Sequence, residues 1–148
     1  MEDKVGVTHV DGDYHLTDEN SLNEGAKQIR NLGSRVIKVW LHHVSGDDPH
    51  NKYPYNSDWP ASFDSMVEVA ESPYFRELFQ RDFRTYVLEA YVYIEEGYGD
   101  GNKHYFIRGI SDEQLRQEER GFYEFTKHLL ETYRGTGKEF VLQHWQGD

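Results

Sequence analysis

The chain contains no cysteine. That excludes disulfides, thiolate metal sites and cysteine nucleophiles, and it leaves the redox compartment open. Basic residues are also scarce: 16 Lys and Arg face 27 Asp and Glu, for a formal net charge of −11. Such a surface repels phosphate backbones and anionic headgroups, so neither nucleic acid nor a membrane surface is an expected partner. No apolar run approaches the ~20 residues of a membrane span. The acidic start, Met1-Glu2-Asp3, does not read as a signal peptide, and a cytoplasmic location is expected. Hydrophobic residues make up only 36%, and the mean hydropathy is −0.87. What is abundant is aromatic: three Trp, eleven Tyr and eight Phe, 15% of the chain. Disordered chains are poor in aromatics, so 148 residues read as one folded domain.

Hydrophobic periodicity then gives an alternation of elements. Val5 to Val10 is short and β-branched and reads as a strand, followed by the turn-prone Asp11-Gly12-Asp13. Ser21-Leu22-Asn23-Glu24 fits a capping box, with Leu22, Ala26, Ile29 and Leu32 at helical spacing and Gly33 as the stop. Val36 to Leu41 is a second strand. Phe63, Met66, Val67 and Ala70 form a helical stripe; Ser72-Pro73 starts a new helix carrying Tyr74, Phe75, Leu78 and Phe79. Thr85 to Ile94 is a third strand. Ser111 with Gln114 opens a long helix lined by Leu115, Phe122, Phe125, Leu129 and Tyr133, which Arg134-Gly135-Thr136-Gly137 ends, and Phe140 to Trp145 is a fourth strand.

Strands alternating with helices predict α/β architecture, parallel β-α-β units with four strands and three to four helices. An open doubly wound sheet and half of a TIM-type (β/α)8 barrel both fit. Strand parity selects the barrel. Leu88, Ala90, Val92 and Ile94 are an apolar row, whereas Thr85, Val87, Glu89, Tyr91 and Tyr93 are mixed; Ile37, Val39 and Leu41 likewise oppose Val36, Lys38, Trp40 and His42. Helices on both faces demand apolar rows on both sides, whereas polar groups on one row suit a lumen opening onto a site. The connections after strands (Asp11–Asn20, His42–Ala61, Glu95–Ser111) are long, and those before strands are short. Function is therefore expected at the strands' C-terminal ends.

There the sequence collects His9, Asp11, Trp40, His42, Tyr91, Tyr93, His144 and Trp145 as candidate substrate-binding residues, with Tyr53, Tyr55 and Trp59 in the second long loop. Aromatic platforms beside carboxylates and amides suit a sugar, whose C–H faces stack on rings while its hydroxyls need polar partners. Lys38 and Glu89 fall on the mixed rows of neighbouring strands, where a buried charge must be paired, so an ion pair is expected that is either structural or orients a catalytic group. His9, Asp11, His42 or His43, and His144 offer a metal-hydrolase alternative, but strand one carries His-x-Asp rather than His-x-His and no His-x-x-x-His pair occurs. No metal and no cofactor are expected. No G-x-S-x-G elbow is present; Gly97-x-Gly99-x-Gly101 lacks the strand-then-helix setting of a dinucleotide site, and in Asp11-Gly12-Asp13 no Thr follows as in a haloacid-dehalogenase loop.

Leu32-Gly33-Ser34-Arg35-Val36-Ile37-Lys38-Val39-Trp40-Leu41 is similar to the second-strand segment of the (β/α)8 glycoside hydrolases, in which a Leu-Gly turn leads into a strand ending in a basic residue, an apolar residue and often Trp. Phe140 to Asp148 lies where that clan carries its Asn-Glu pair, with Glu as acid/base. The resemblance implies a barrel, a carbohydrate ligand and glycosidase chemistry. It also marks departures: Gln146 stands at the acid/base position and cannot donate a proton, Lys38 stands where Arg is usual, and the nucleophile's strand, the seventh, lies beyond these four. Residues 1–148 are thus expected to form a single domain, the N-terminal half of a larger barrel that pairs with its remainder or with a second half-barrel, as in a homodimer. A non-catalytic carbohydrate-binding or scaffold domain is the further alternative, which Gln146 favours.

Overall fold

A computed structural model describes residues 5–9, 16–42, 63–91 and 111–143. Within them the order is β1 (Gly6–Thr8), α1 (Ser21–Asn31), β2 (Val36–His42), α2 (Met66–Glu71), α3 (Pro73–Gln80), β3 (Thr85–Tyr91), α4 (Asp112–Thr132) and β4 (Glu139–Gln143). The four strands form one parallel sheet in the order β1-β2-β3-β4. The expected α/β architecture of parallel units is therefore present. Strand order follows chain order without reversal, so these four strands contain no switch point of the kind that defines a doubly wound sheet.

Local sequence explains the element boundaries, with four departures from expectation. Asn20, not Ser21, caps α1: its side chain accepts from the Asn23 backbone N–H at 3.0 Å. Glu24 consequently lies one residue too far along for a capping box and instead accepts from the Leu16 N–H at 3.2 Å. Leu32 is the C-cap of α1 and is 79% exposed rather than part of its buried stripe. Gly33 does end the helix, at φ 92°, a left-handed conformation that glycine adopts without steric cost. The Ser72 cap with Pro73 at the first turn of α3, and the capping box of Ser111 and Gln114 on α4, form as the sequence predicts. Leu115 is the third departure: it is 54% exposed, and α4 is buried only farther along, at Phe125 and Leu129. Phe63 is the fourth: it is buried in the core but lies ahead of the Ser65 cap of α2, not on that helix's stripe.

The helices and one sheet row share a single core. Leu22, Ala26 and Ile29 of α1, Met66 and Val69 of α2, Phe75, Leu78 and Phe79 of α3, and Phe125 and Leu129 of α4 cluster with Ile37, Val39, Leu41, Tyr86, Leu88 and Ala90. A good part of the aromatic excess is spent here rather than on the loops. Phe79 meets Tyr86, Tyr133 and Phe140 edge-on at 5.3, 5.5 and 5.4 Å, and Tyr86 stacks on Phe140 at 5.3 Å. Such pairs contribute about 0.5–1.5 kcal/mol each beyond the area they bury. Among the described residues no helix is long and apolar enough to cross a membrane.

Candidate functional site

Residues paired across a parallel sheet point to the same face, so the register fixes which side chains share the row opposite the helices. It resolves into three layers. Gly6, Val36, Thr85 and Glu139 lie at the N-terminal end of the strands; Thr8, Lys38, Val87 and Val141 come next; Trp40, Glu89 and Gln143 lie nearest the C-terminal ends. This row is less covered than the helix-facing one: Val36, Lys38, Trp40, Thr85, Val87 and Gln143 are partly buried, and Val141 is 47% exposed.

The expected Lys38–Glu89 ion pair forms, with Lys38 Nζ 2.8 Å from Glu89 Oε2. Lys38 reaches from the middle layer toward the C-terminal one, so the pair spans two adjacent strands. It is asymmetric: the glutamate side chain is 2% exposed and the lysine side chain 23%. The second carboxylate oxygen, Glu89 Oε1, is buried without a hydrogen-bond partner. A buried carboxylate demands compensation, which here comes from one ammonium, and that ammonium is the more exposed member of the pair. Trp40 is in register with Glu89, is partly buried and also packs against the core. Gln143 shares their layer. Gln143 is not among the residues expected from the sequence, although the parity of β4 places it on the row of Val141.

His9 is placed elsewhere. It follows β1 with its backbone N–H donating to the Lys38 carbonyl at 2.9 Å. Its ring turns to α1, where Nε2 is 2.8 Å from the Ser21 carbonyl and the residue is 3% exposed. Gly25 is what admits the ring, because a Cβ there would stand 2.2 Å from His9 Nε2. The structure thus groups Lys38, Trp40 and Glu89 and sets His9 apart from them. Of the other candidates, His42 and Tyr91 are described only as the last residues of β2 and β3. Asp11, Tyr93, His144, Trp145 and Gln146 lie outside the described residues, as do Tyr53, Tyr55 and Trp59. Among the described residues no group of three or more His, Asp and Glu could hold a metal ion.

The opposite end of the sheet is held by charge. Asp82, between α3 and β3, takes Arg30 at 2.8 Å and Arg35 at 3.1 Å. Hydrogen bonds from those two guanidiniums hold its carboxyl below the usual carboxylate range. Glu139 accepts from Thr85 Oγ1 at 2.9 Å and pairs with Arg84 at 3.3 Å, and it too is held low, first by the Thr85 hydroxyl and then by Arg84. Lys138 donates to the Arg81 carbonyl at 2.9 Å and sits over the Tyr86 ring at 5.2 Å. Burial lowers the Lys138 ammonium and raises the Tyr86 phenol. Arg81 reaches Glu19 and Glu77, each at 2.7 Å, and so joins the N-terminal side of α1 to α3. Burial pushes the Glu19 carboxyl up, but hydrogen bonds from Arg81 and Lys27 outweigh it and bring it below its ordinary value. These are brackets between elements rather than reactive groups.

An open groove of about 400 Å3 lies on the helix side around Phe63, Pro73 and Tyr74, and no residue of the Lys38–Glu89 row lines it. Compared with protein-family models, with curated proteins and with solved structures, the chain matches none of them.

Proposed function

We propose that this chain is a glycoside hydrolase-like barrel domain that binds a carbohydrate at the C-terminal ends of its strands, with its catalytic set incomplete. The observation that carries the reading is the Lys38–Glu89 pair, fixed in the sheet beside Trp40 and Gln143. Together they offer a ring face, an amide and an ammonium whose position is set by a buried carboxylate. A sugar needs such partners: an apolar surface for its C–H face and oriented donors and acceptors for its hydroxyls. The three-layered row, the strand order without reversal and the resemblance of the Leu32–Leu41 segment to glycoside hydrolases support a half-barrel. Its edges among the described residues, β1 and β4, call for further parallel strands, from the remainder of a barrel or from a second half.

The described carboxylates of this row support binding rather than hydrolysis. Retaining glycosidases use two carboxyl groups about 5–5.5 Å apart, and inverting ones a pair farther apart. Among the described residues of this row, Glu89 is the only buried carboxylate, and it is engaged by Lys38; Glu139 lies at the far end, bonded to Thr85 and Arg84. Gln146 supplies an amide where the resemblance places the acid/base.

Calorimetric titration of the chain with cello-, xylo-, manno- and galacto-oligosaccharides tests the reading. Binding by at least one series, weakened about tenfold by Trp40→Ala, is the expected result. Absence of binding across the four series contradicts it, as does binding that Trp40→Ala leaves unchanged.

A further inference from the structure

The asymmetry of the Lys38–Glu89 pair bears on the charge a ligand can carry, a step that rests on the carbohydrate reading above. The ammonium is the more exposed member and the carboxylate is hidden, at 23% and 2% side-chain exposure, with 2.8 Å between Nζ and Oε2. A lone lysine at the open end of a parallel sheet attracts anions and hydrogen-bonds a carboxylate more strongly than a hydroxyl. A carboxylate held against it from beneath cancels that preference without removing the donors. An ammonium has three N–H groups, and the Glu89 contact leaves others for a ligand oxygen. The chain's net charge of −11 adds a general repulsion of anions. Glu89 Oε1, buried and without a partner, has no donor of its own to soften the charge it sets against Lys38.

We propose that Glu89 is a specificity-determining positioning residue: by neutralising and fixing Lys38, it makes the site accept uncharged sugar rings and refuse uronates. Glu89 acts through Lys38 and does not itself touch the ligand.

The test compares wild type, Glu89→Gln and the double variant Lys38→Gln/Glu89→Gln on a matched pair of ligands. These are the tightest-binding neutral oligosaccharide of the four series and its counterpart carrying a terminal uronate. Wild type is expected to prefer the neutral member. Glu89→Gln is expected to shift the neutral-to-uronate affinity ratio toward the uronate by roughly tenfold, the size of one charge-assisted hydrogen bond, and added salt reduces that shift. The double variant, which removes both charges, is expected to restore the wild-type ratio, which a merely structural role for Glu89 does not predict. Should Glu89→Gln fail to fold, Glu89→Asp, which draws the carboxylate back from Lys38, is read by the same comparison and is expected to shift the ratio in the same direction by a smaller factor, an unchanged ratio overturning the inference. An unchanged ratio in folded Glu89→Gln, a wild-type preference for the uronate, or a double variant whose ratio departs from wild type overturns this inference and leaves the carbohydrate reading standing. Failure of wild type to bind any member of the four series overturns both.

Discussion

Two buried residues show how single side chains decide placement in this fold. Gly25 lies inside α1, where glycine costs a helix about 1 kcal/mol relative to alanine, so propensity alone says that Gly25→Ala stabilises. The His9 ring reverses the sign. A Cβ would stand 2.2 Å from Nε2 of a histidine that is 3% exposed and bonded to the Ser21 carbonyl, so the ring must leave its site. We expect Gly25→Ala to lower stability by about 1–3 kcal/mol in a urea melt, as overpacking does. A gain would mean that His9 yields freely. Lys38→Met is a second test at this scale. It strands the Glu89 carboxylate in the sheet without a counter-charge, and a loss of about 3 kcal/mol is expected, the low end of the range because Lys38 is partly exposed. Lys38→Met/Glu89→Leu is expected to recover most of that loss, since neither charge remains to be desolvated.

Among the elements, agreement between sequence and structure follows where local chemistry acts alone. Ser72-Pro73 and Ser111 with Gln114 start helices because caps and a proline first turn need no distant partner. The start of α1 is less legible, because Asn20 and Ser21 are both good caps. Asn20 is the one used, and its side chain bonds Asn23, which in turn donates to the Tyr74 carbonyl of α3 at 2.9 Å. That tertiary bond cannot be read from a window of sequence. Leu115 misleads for a related reason: its helical spacing is correct, yet α4 meets the core only farther along, at Phe125 and Leu129. The Asp82 bracket gives a pH prediction at this scale. Its folded-state pKa lies below the ordinary value, so its contribution is present at pH values above that ordinary value and is lost as pH falls through the folded one. Asp82→Asn is therefore expected to be less stable than wild type near neutrality and to lose less on acidification below about pH 4, in melts recorded from pH 7 to pH 3. Parallel acid limbs in the two proteins would mean that Arg30 and Arg35 contribute nothing through that carboxylate.

For the molecule as a whole, strand parity was the most informative signal in the sequence. Alternation in Val36 to Leu41 and in Thr85 to Ala90 separated an apolar row from a mixed one, and the structure puts helices on the first. It also placed Lys38 and Glu89 on the same row of neighbouring strands, closely enough for their pairing to be anticipated. His9 was harder to place, because the direction of its ring depends on a hole left by Gly25 sixteen residues later in the chain. The same parity assembles Trp40, Glu89 and Gln143 into one layer at the C-terminal ends, and the proposed function rests on that layer. The most direct test uses Trp40 as the reporter. In a Trp59→Phe/Trp145→Phe variant, Trp40 is the sole remaining indole, and its emission can be followed during titration with the neutral oligosaccharides. The account predicts a saturable change that Glu89→Gln alters in affinity or amplitude. A flat titration, in a variant whose melt is still cooperative and whose binding of the oligosaccharide is confirmed by calorimetry, would contradict it.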